Sequence, residues 1–534
     1  MTRFRLVLIL LGVVAAAALF LTQRPAGPTL AIVSGSENEA LEPLIQDWAR
    51  DRGVTVDMTY LGSVDISREL QAGKASPYDA VWPAHSLWIE LGDTKNVVAH
   101  ATSILRSPVV LGVRRSIAEG LGWVGRKDLT IQDIHAATRA GKFRLSMTSA
   151  TQSNSGASAY LGFLYAFAGD PDMLTLPMLD DPAVQDAMRS LLGEVDRSSG
   201  SSGWLKDAFV ANPAAFDAMI NYESVVIEAN QALIAEGQEP LYLIYPANGL
   251  AVADSPLGLI DKGDAAKTAA FLDLQAYLLT PDTQGKLSAL GRRAGLIGLD
   301  ATSADPAVWN PDWGIDLGRE IAPVPTPSAD VIAKALTLYQ TELRKPSLTI
   351  WVLDVSGSME GEPLEQLKSA MRLLLDPDAA AVNLLQPSTR DITIILPFNH
   401  AALEPTIVEG GAPGDLAAAL SRVEGLRADG GTDVYLAVTE ALRLIEPMAR
   451  DGSLDDYLPA IVAMTDGASD TGNRAALFSA LRSSPWAGGI PVHSIAFGQA
   501  DEDQLKALSE ATVARMFVAG DDIAKALRAA KGYN

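Results

Sequence analysis

From residue 29 onward, short apolar runs alternate with amphipathic stretches, and the two periods predict the elements. Residues 29–33 read as a strand. Residues 39–52 read as a helix, because Leu41, Leu44, Ile45 and Trp48 fall on one face at helical spacing. A strand at 54–61, a helix at 66–72 and a strand at 78–82 ending at Pro83 continue the alternation. A strand at 109–113, a helix at 131–140, a strand at 144–147 and a long apolar helix reaching 167 follow. This order predicts an α/β fold of βαβ type with short connections. Pro306, Pro311, Pro323, Pro325 and Pro327 then interrupt the pattern. A stretch so dense in proline cannot be regular helix or central strand, and reads as a stiff, extended spacer. Residues 331–343 return to helical spacing.

A second alternating block starts at Pro346. The apolar run 348–353 ends at Asp354, and Pro363 opens a helix carrying Leu364, Leu367, Met371 and Leu374 on one face. Strands are expected at 392–396, 460–464, 492–497 and 516–518, and helices at 415–423, 435–445, 475–482, 502–511 and 523–530. That is the pattern of a doubly wound sheet with helices on both faces. The domain assignment is therefore 1–28 for an amino-terminal segment, 29–322 for the first α/β module, 323–345 for the Pro-rich linker and helix, and 346–534 for the second.

Composition changes the picture in three ways. The net charge of −23 over 534 residues speaks against nucleic acid and against adsorption to anionic lipid. The absence of cysteine removes disulfides, thiol catalysis and zinc–thiolate sites. At the amino terminus, Arg3 and Arg5 precede the uncharged apolar run 6–21, which orients that end towards the cytoplasm. The run reads either as a signal peptide with Ala16-Ala17-Ala18 at the cleavage site or as an uncleaved anchor. It continues through Leu19, Phe20 and Leu21, and 4–22 is about long enough to cross a bilayer, which favours the anchor. The rest of the chain is then extracytoplasmic, in the periplasm or on the cell surface.

Candidate chemistry gathers first in the second block. Asp354-Val355-Ser356-Gly357-Ser358 stands where a strand hands over to a helix, and Gly430-Gly431-Thr432-Asp433 and Thr465-Asp466-Gly467 supply two more oxygen-bearing loops. An all-oxygen set suits a hard cation. The three loops, in this order, resemble the metal-ion-dependent adhesion site of a von Willebrand factor type A domain. Asp354, Ser356 and Ser358 match its DxSxS motif, Thr432 its second-loop threonine and Asp466 its third-loop aspartate. The resemblance implies a doubly wound Rossmann-like domain. It also implies Mg²⁺, or another divalent cation such as Ca²⁺ or Mn²⁺, bound by these five residues, with a partner protein supplying an acidic side chain. Asp433 stands where many relatives carry Asn and is left outside the set.

Two hydroxyl-rich loops mark the first module. Ser34-Gly35-Ser36-Glu37-Asn38 and Ser153-Asn154-Ser155-Gly156 each lie between a strand and a helix. Such loops either cap their helices or present donors to a polar solute. With Asn221-Tyr222-Glu223-Ser224 and Tyr245-Pro246-Ala247, they resemble a bacterial extracellular solute-binding protein of the two-lobed periplasmic type. The resemblance implies lobe one at 29–105 plus 250–320 and lobe two at 106–249. It further implies Ser34, Ser36, Ser153, Asn154, Ser155 and Tyr222 as ligand-binding residues. The solute would be a small polar molecule or oxyanion; neither loop carries Arg or Lys, so a charged oxyanion would rest on hydroxyls and N–H groups. Trp82, Trp88 and Tyr222 are either core packing or stacking platforms for a sugar.

Five isolated His, no phosphate-cradling loop and no G-x-S-x-G elbow leave no enzyme chemistry to assign. The reading is of an exported binding protein that docks a partner through a cation. The alternative is a transport receptor with an accessory second domain.

Overall fold

The computed structural model describes residues 27–294, 304–520 and 523–533. The amino-terminal anchor or signal segment expected at 1–28 lies almost wholly outside the described residues. Among the described residues, no helix is long and apolar enough to cross a membrane. The chain divides into two compact units, Met1–Arg106 with Asp254–Leu299 and Ser107–Ala253 with Asp300–Asn534. The chain thus crosses between the units after Arg106, after Ala253 and after Leu299, so that 300–320, expected in lobe one, falls with the second unit.

The first unit is built on a five-stranded sheet in the order Thr55–Leu61, Thr29–Gly35, Ala80–Trp82, Pro256–Ile260, Val98–Ser103. The first three strands are parallel, Pro256–Ile260 runs antiparallel to them, and Val98–Ser103 pairs antiparallel with Pro256–Ile260. Successive side chains point to opposite faces, so Leu30 and Ile32 enter one buried cluster and Val33 another. The helix expected at 39–52 is split. A 3₁₀ turn covers Ser36–Leu41, and the α-helix is Glu42–Arg52. Pro43 favours a start there, since its ring fixes φ and its missing N–H is an orphan in the first turn anyway. Trp82 and Trp88 are fully buried, and Trp82 donates to Ser255 Oγ at 3.0 Å, so both are packing residues.

The second unit opens with a sheet in which Leu105–Arg114, Ala218–Tyr222, Leu145–Thr148 and Val195–Ser199 lie side by side in that order, Val195–Ser199 at the edge. The helix Asn154–Phe167 beside it is buried along nearly its whole length, which explains why it is apolar all round. The proline-rich stretch is not a free spacer. Trp309 and Trp313 are buried, Gly314 lies against the Leu243 carbonyl, and Val324 N donates to Leu250 O at 2.8 Å. Two tryptophans give this stretch more apolar surface than a solvated linker tolerates, and it lies against lobe two. The helix Ala329–Leu338, ending in a π-turn Tyr339–Leu343, docks there too, with Tyr160 OH donating to Ala335 O at 2.8 Å.

Residues 347–531 form the second sheet domain. Its strands are β1 (Ser347–Asp354), β2 (Ile392–Phe398), β3 (Thr406–Glu409), β4 (Leu458–Thr465), β5 (Val492–Phe497) and β6 (Met516–Gly520). They lie in the order β3-β2-β1-β4-β5-β6, all parallel except β3. All eight residues of β1 are buried. Leu348, Ile350 and Val352 face one core, and Trp351 and Leu353 the other. Burial on both faces is why β1 reads as an unbroken apolar run. The antiparallel edge strand β3 and the helix Pro377–Asn383 are additions that periodicity did not indicate. The strand order reverses between β1 and β4. Helical connections leave them in opposite directions, which opens a crevice at their carboxyl ends.

Candidate functional site

That crevice is where the three loops meet. Asp354 ends β1 and is fully buried. Its Oδ1 accepts from Ser356 N at 2.8 Å and its Oδ2 from Thr465 Oγ1, at the end of β4, at 2.5 Å. Ser356 and Ser358 Oγ lie 3.1 Å apart, and Ser358 Oγ donates to Asp466 Oδ1 at 2.7 Å. The second loop is tied in through its backbone. Gly357 N donates to Gly430 O at 2.9 Å, and Asp429 N to Val355 O at 2.9 Å. Thr432 follows, half-buried, while Ser358 is exposed, so the cluster opens to solvent on that side.

Burial raises the Asp354 carboxyl above its usual range, the negative charge of Asp466 acts the same way, and hydrogen bonds from Thr465 and Ser356 only partly offset them. Two carboxylates are thus held together with three hydroxyls and no compensating basic group acting on Asp354. That donor set fits a hard divalent cation. Among the described residues, no group of three or more His, Cys, Asp or Glu is placed to hold a metal ion, so acidic clustering alone would not have marked this site.

Asp433 has a different task. It is the N-cap of the helix Val434–Asp451, accepting from Leu436 N at 2.9 Å, and its other oxygen accepts from Asn473 Nδ2 at 2.6 Å. Sequence reasoning quoted Thr465 but did not place it among the site residues; a hydroxyl on the last position of the strand before Asp466 was the available signal. Asn399 was missed outright. Its side chain donates to Asp429 O at 3.0 Å and braces the second loop.

Gly430 carries that loop through φ +82, and a Cβ there would come within 2.6 Å of His400 Nδ1. Gly430→Ala is expected to cost on the order of 2 kcal/mol from backbone strain and this contact. A lower Tm together with weaker divalent-cation binding would register it, and an unchanged Tm would contradict it.

In the first unit, Ser34 is buried. Its Oγ accepts from Asn38 Nδ2 at 3.1 Å and lies 3.3 Å from Trp82 O. Ser36 is half-buried in the adjoining 3₁₀ turn. Arg292, remote in sequence and buried, donates to Glu37 O at 2.6 Å, so a guanidinium does reach this loop. In the second unit, Ser153, Asn154, Ser155 and Tyr222 are all buried and brought together. Ser155 Oγ is 2.8 Å from Thr148 Oγ1 and 2.7 Å from Ser202 Oγ, Ser153 Oγ is 3.0 Å from Ser202 Oγ, and Asn154 Nδ2 donates to Tyr222 OH at 3.0 Å. Ser202 is the hub of this network. The Ser-Gly repeat at 198–203 was its only sequence signal.

Residues 30–293 match the family model for bacterial extracellular solute-binding protein, and residues 350–530 match that for the von Willebrand factor type A domain. An uncharacterized protein of Synechocystis sp. is 31% identical over 180 residues, which is 33% of this chain and 39% of that protein. The chain thus spans about two-fifths of the length of this curated relative. Among solved structures, the sulfate-binding protein SubI of Mycobacterium tuberculosis is similar at TM-score 0.38 and 18% identity, covering 56% of this chain and 92% of its own. Iron-bound HitA of Pseudomonas aeruginosa is similar at TM-score 0.42 and 15% identity, covering 58% and 98%. A von Willebrand factor type A protein of Catenulispora acidiphila is similar at TM-score 0.30 and 17% identity, covering 36% and 43%. The chain thus carries a match to a solute-binding family in its first α/β module and a match to the von Willebrand factor type A domain in its second.

Proposed function

We propose that this is an exported, membrane-anchored binding protein rather than an enzyme, and that its von Willebrand A domain docks a partner protein through a divalent cation. The observation that carries the reading is the convergence of Asp354 and Asp466 with hydroxyl side chains at the β1–β4 crevice, without a basic partner on the buried carboxylate. Asp354, Ser356, Ser358, Thr432 and Asp466 would hold Mg²⁺, Ca²⁺ or Mn²⁺. Such an ion, neutralised by only two carboxylates, retains the charge needed to attract an acidic side chain of the partner. The protein's own contribution is preorganisation. Thr465 and the Ser356 N–H fix Asp354, and Ser358 fixes Asp466, so the carboxylates are oriented before any ion arrives. The anchor is carried by Arg3, Arg5 and the apolar run after them.

Titration calorimetry with MgCl₂ on the full chain and on Ser356→Ala tests this reading. Binding by the parent chain that is lost or strongly weakened in the variant is expected; equal affinity in both would overturn the assignment.

For the upstream module, Ser34 and Ser36 in the first unit, and separately Ser153, Asn154, Ser155 and Tyr222 in the second, are proposed as contacts for a small polar solute or oxyanion. The support is chemical: neutral hydroxyls cluster at the start of the fourteen-residue helix Asn154–Phe167, whose dipole favours partial negative charge there. A thermal-shift panel of sulfate, molybdate, glucose and glutamate is expected to show stabilisation by at least one compound. A flat response across the panel argues against a solute role.

A further inference from the structure

The residues next to the Ser153–Ser155 cluster reach across to the von Willebrand A domain. The Gln152 carboxamide donates to Arg528 O at 2.6 Å, on the last helix, Ile523–Lys531. Gly532 follows that helix, and its carbonyl accepts from Ser198 Oγ at 3.4 Å. Tyr533 is 3% exposed and sits edge-on to Trp204 of lobe two, with ring centroids 4.9 Å apart. Two glycines make the approach possible. A Cβ on Gly532 would overlap the Gln152 carboxamide, and one on Gly200 would overlap both that carboxamide and the Tyr533 ring. Beside them the half-buried Arg197 of lobe two donates to the carbonyls of Thr512 and Val513 at 3.3 and 3.1 Å, just beyond the end of the helix Glu502–Glu510, where a cation is favoured.

We infer that Gly532–Tyr533 is a latch seated in a shaped socket on lobe two, formed by Gln152, Ser198, Gly200 and Trp204, and that it locks the von Willebrand A domain to the hydroxyl-lined loop. Lobe two is the partner that this face of the domain fits. The tight fit at two positions lacking Cβ, the side-chain bonds to main-chain carbonyls and the aromatic plug together distinguish it from incidental contact. The latch also touches what lies on either side. Gln152 adjoins Ser153, and Ile523, Leu527 and Ala530 of the latch helix share a buried cluster with Leu367 and Met371, on the helix that leaves the DxSxS loop. The latch is thus the physical connection between the two sites proposed above. Its existence does not depend on either of them binding a ligand.

Hydrogen exchange on the ligand-free full chain tests it. Gly532→Ala is expected to raise exchange roughly tenfold in 149–155 and 198–204 of lobe two as well as in the latch helix, as expected when a few local bonds are lost. Gln152→Ala, which introduces no bulk, is expected to move the same segments in the same direction and less far. Tyr533→Phe is expected to leave the lobe-two segments protected, because it deletes only the hydroxyl that accepts from Arg515 Nη1 at 2.7 Å within the same domain. Faster exchange confined to the latch helix in both Gly532→Ala and Gln152→Ala, with 149–155 and 198–204 as in the parent, would overturn the inference. Should Gly532→Ala unfold the chain globally, Gln152→Ala alone decides.

Discussion

Asp466→Asn is expected to abolish Mg²⁺ binding while leaving the metal-free protein at least as stable as the parent. The substitution keeps the shape of the side chain and an oxygen able to accept from Ser358 Oγ, but removes one of two charges from the donor set. The affinity loss should exceed the factor of about 10–100 typical of residues that merely orient metal ligands. The stability half of the result follows from Asp354. Its carboxyl is raised chiefly by burial, with the charge of Asp466 adding to the effect, so the folded state carries an electrostatic cost whenever Asp354 is ionised. Removing the neighbouring charge reduces that cost. Thermal unfolding with EDTA and with MgCl₂ separates the two effects. The parent should gain Tm with Mg²⁺ and the variant should not, while without metal the variant should match or exceed the parent. A variant that is less stable without metal would mean that the two carboxylates are structural supports rather than an ion site.

The second large effect is in acid. His493, on β5, is completely buried among Trp204, Phe517 and Tyr533. Its Nδ1 accepts from Arg515 N at 3.0 Å, and its Nε2 is buried without a hydrogen-bond partner. Burial, followed by the nearby charge of Arg197, pushes its pKa down to about 3. The folded state therefore holds the imidazole neutral, whereas the unfolded chain takes up a proton below about pH 6.5. Stability is undiminished above that pH and falls as pH drops towards 3, with a limiting slope of about 1.4 kcal/mol per pH unit for one proton. The accumulated loss by pH 3 is on the order of 4 kcal/mol.

His493→Gln should flatten this decline in urea or thermal unfolding across a pH series. Asp391, held at about 2, also titrates, because Arg344 and Lys531 outweigh the raising effect of burial. Its contribution is lost only as pH falls from about 4 towards 2; between pH 6.5 and about 4, His85 and His135, both lowered by burial, act in the same direction as His493, so the difference between parent and variant isolates the share of His493. A variant whose curve parallels the parent across that window would refute the assignment.

The sequence by itself determined the two α/β modules, the β1 strand and the three oxygen-bearing loops. The reason is local. A strand buried on both faces must be written as an unbroken apolar run, and a loop at its carboxyl end announces its ligands by position. Asp354, Ser356 and Ser358 need no distant information to be noticed, and Thr432 and Asp466 each follow signals of the same kind. Boundaries failed where a local rule was overlooked, as at Pro43, which splits the helix expected at 39–52. Tertiary structure alone decided what the hydroxyls do and how the modules connect. Ser153 and Ser155 found their common partner in Ser202, Trp82 and Trp88 turned inward, and the proline-rich stretch settled on lobe two through Trp309 and Trp313. Gln152 and Arg528 meet across 376 positions of chain. No periodicity encodes such a contact. It exists because two separately folded surfaces bury complementary shapes, and Gly200 and Gly532 look like ordinary turn residues until the groups they make room for are in place.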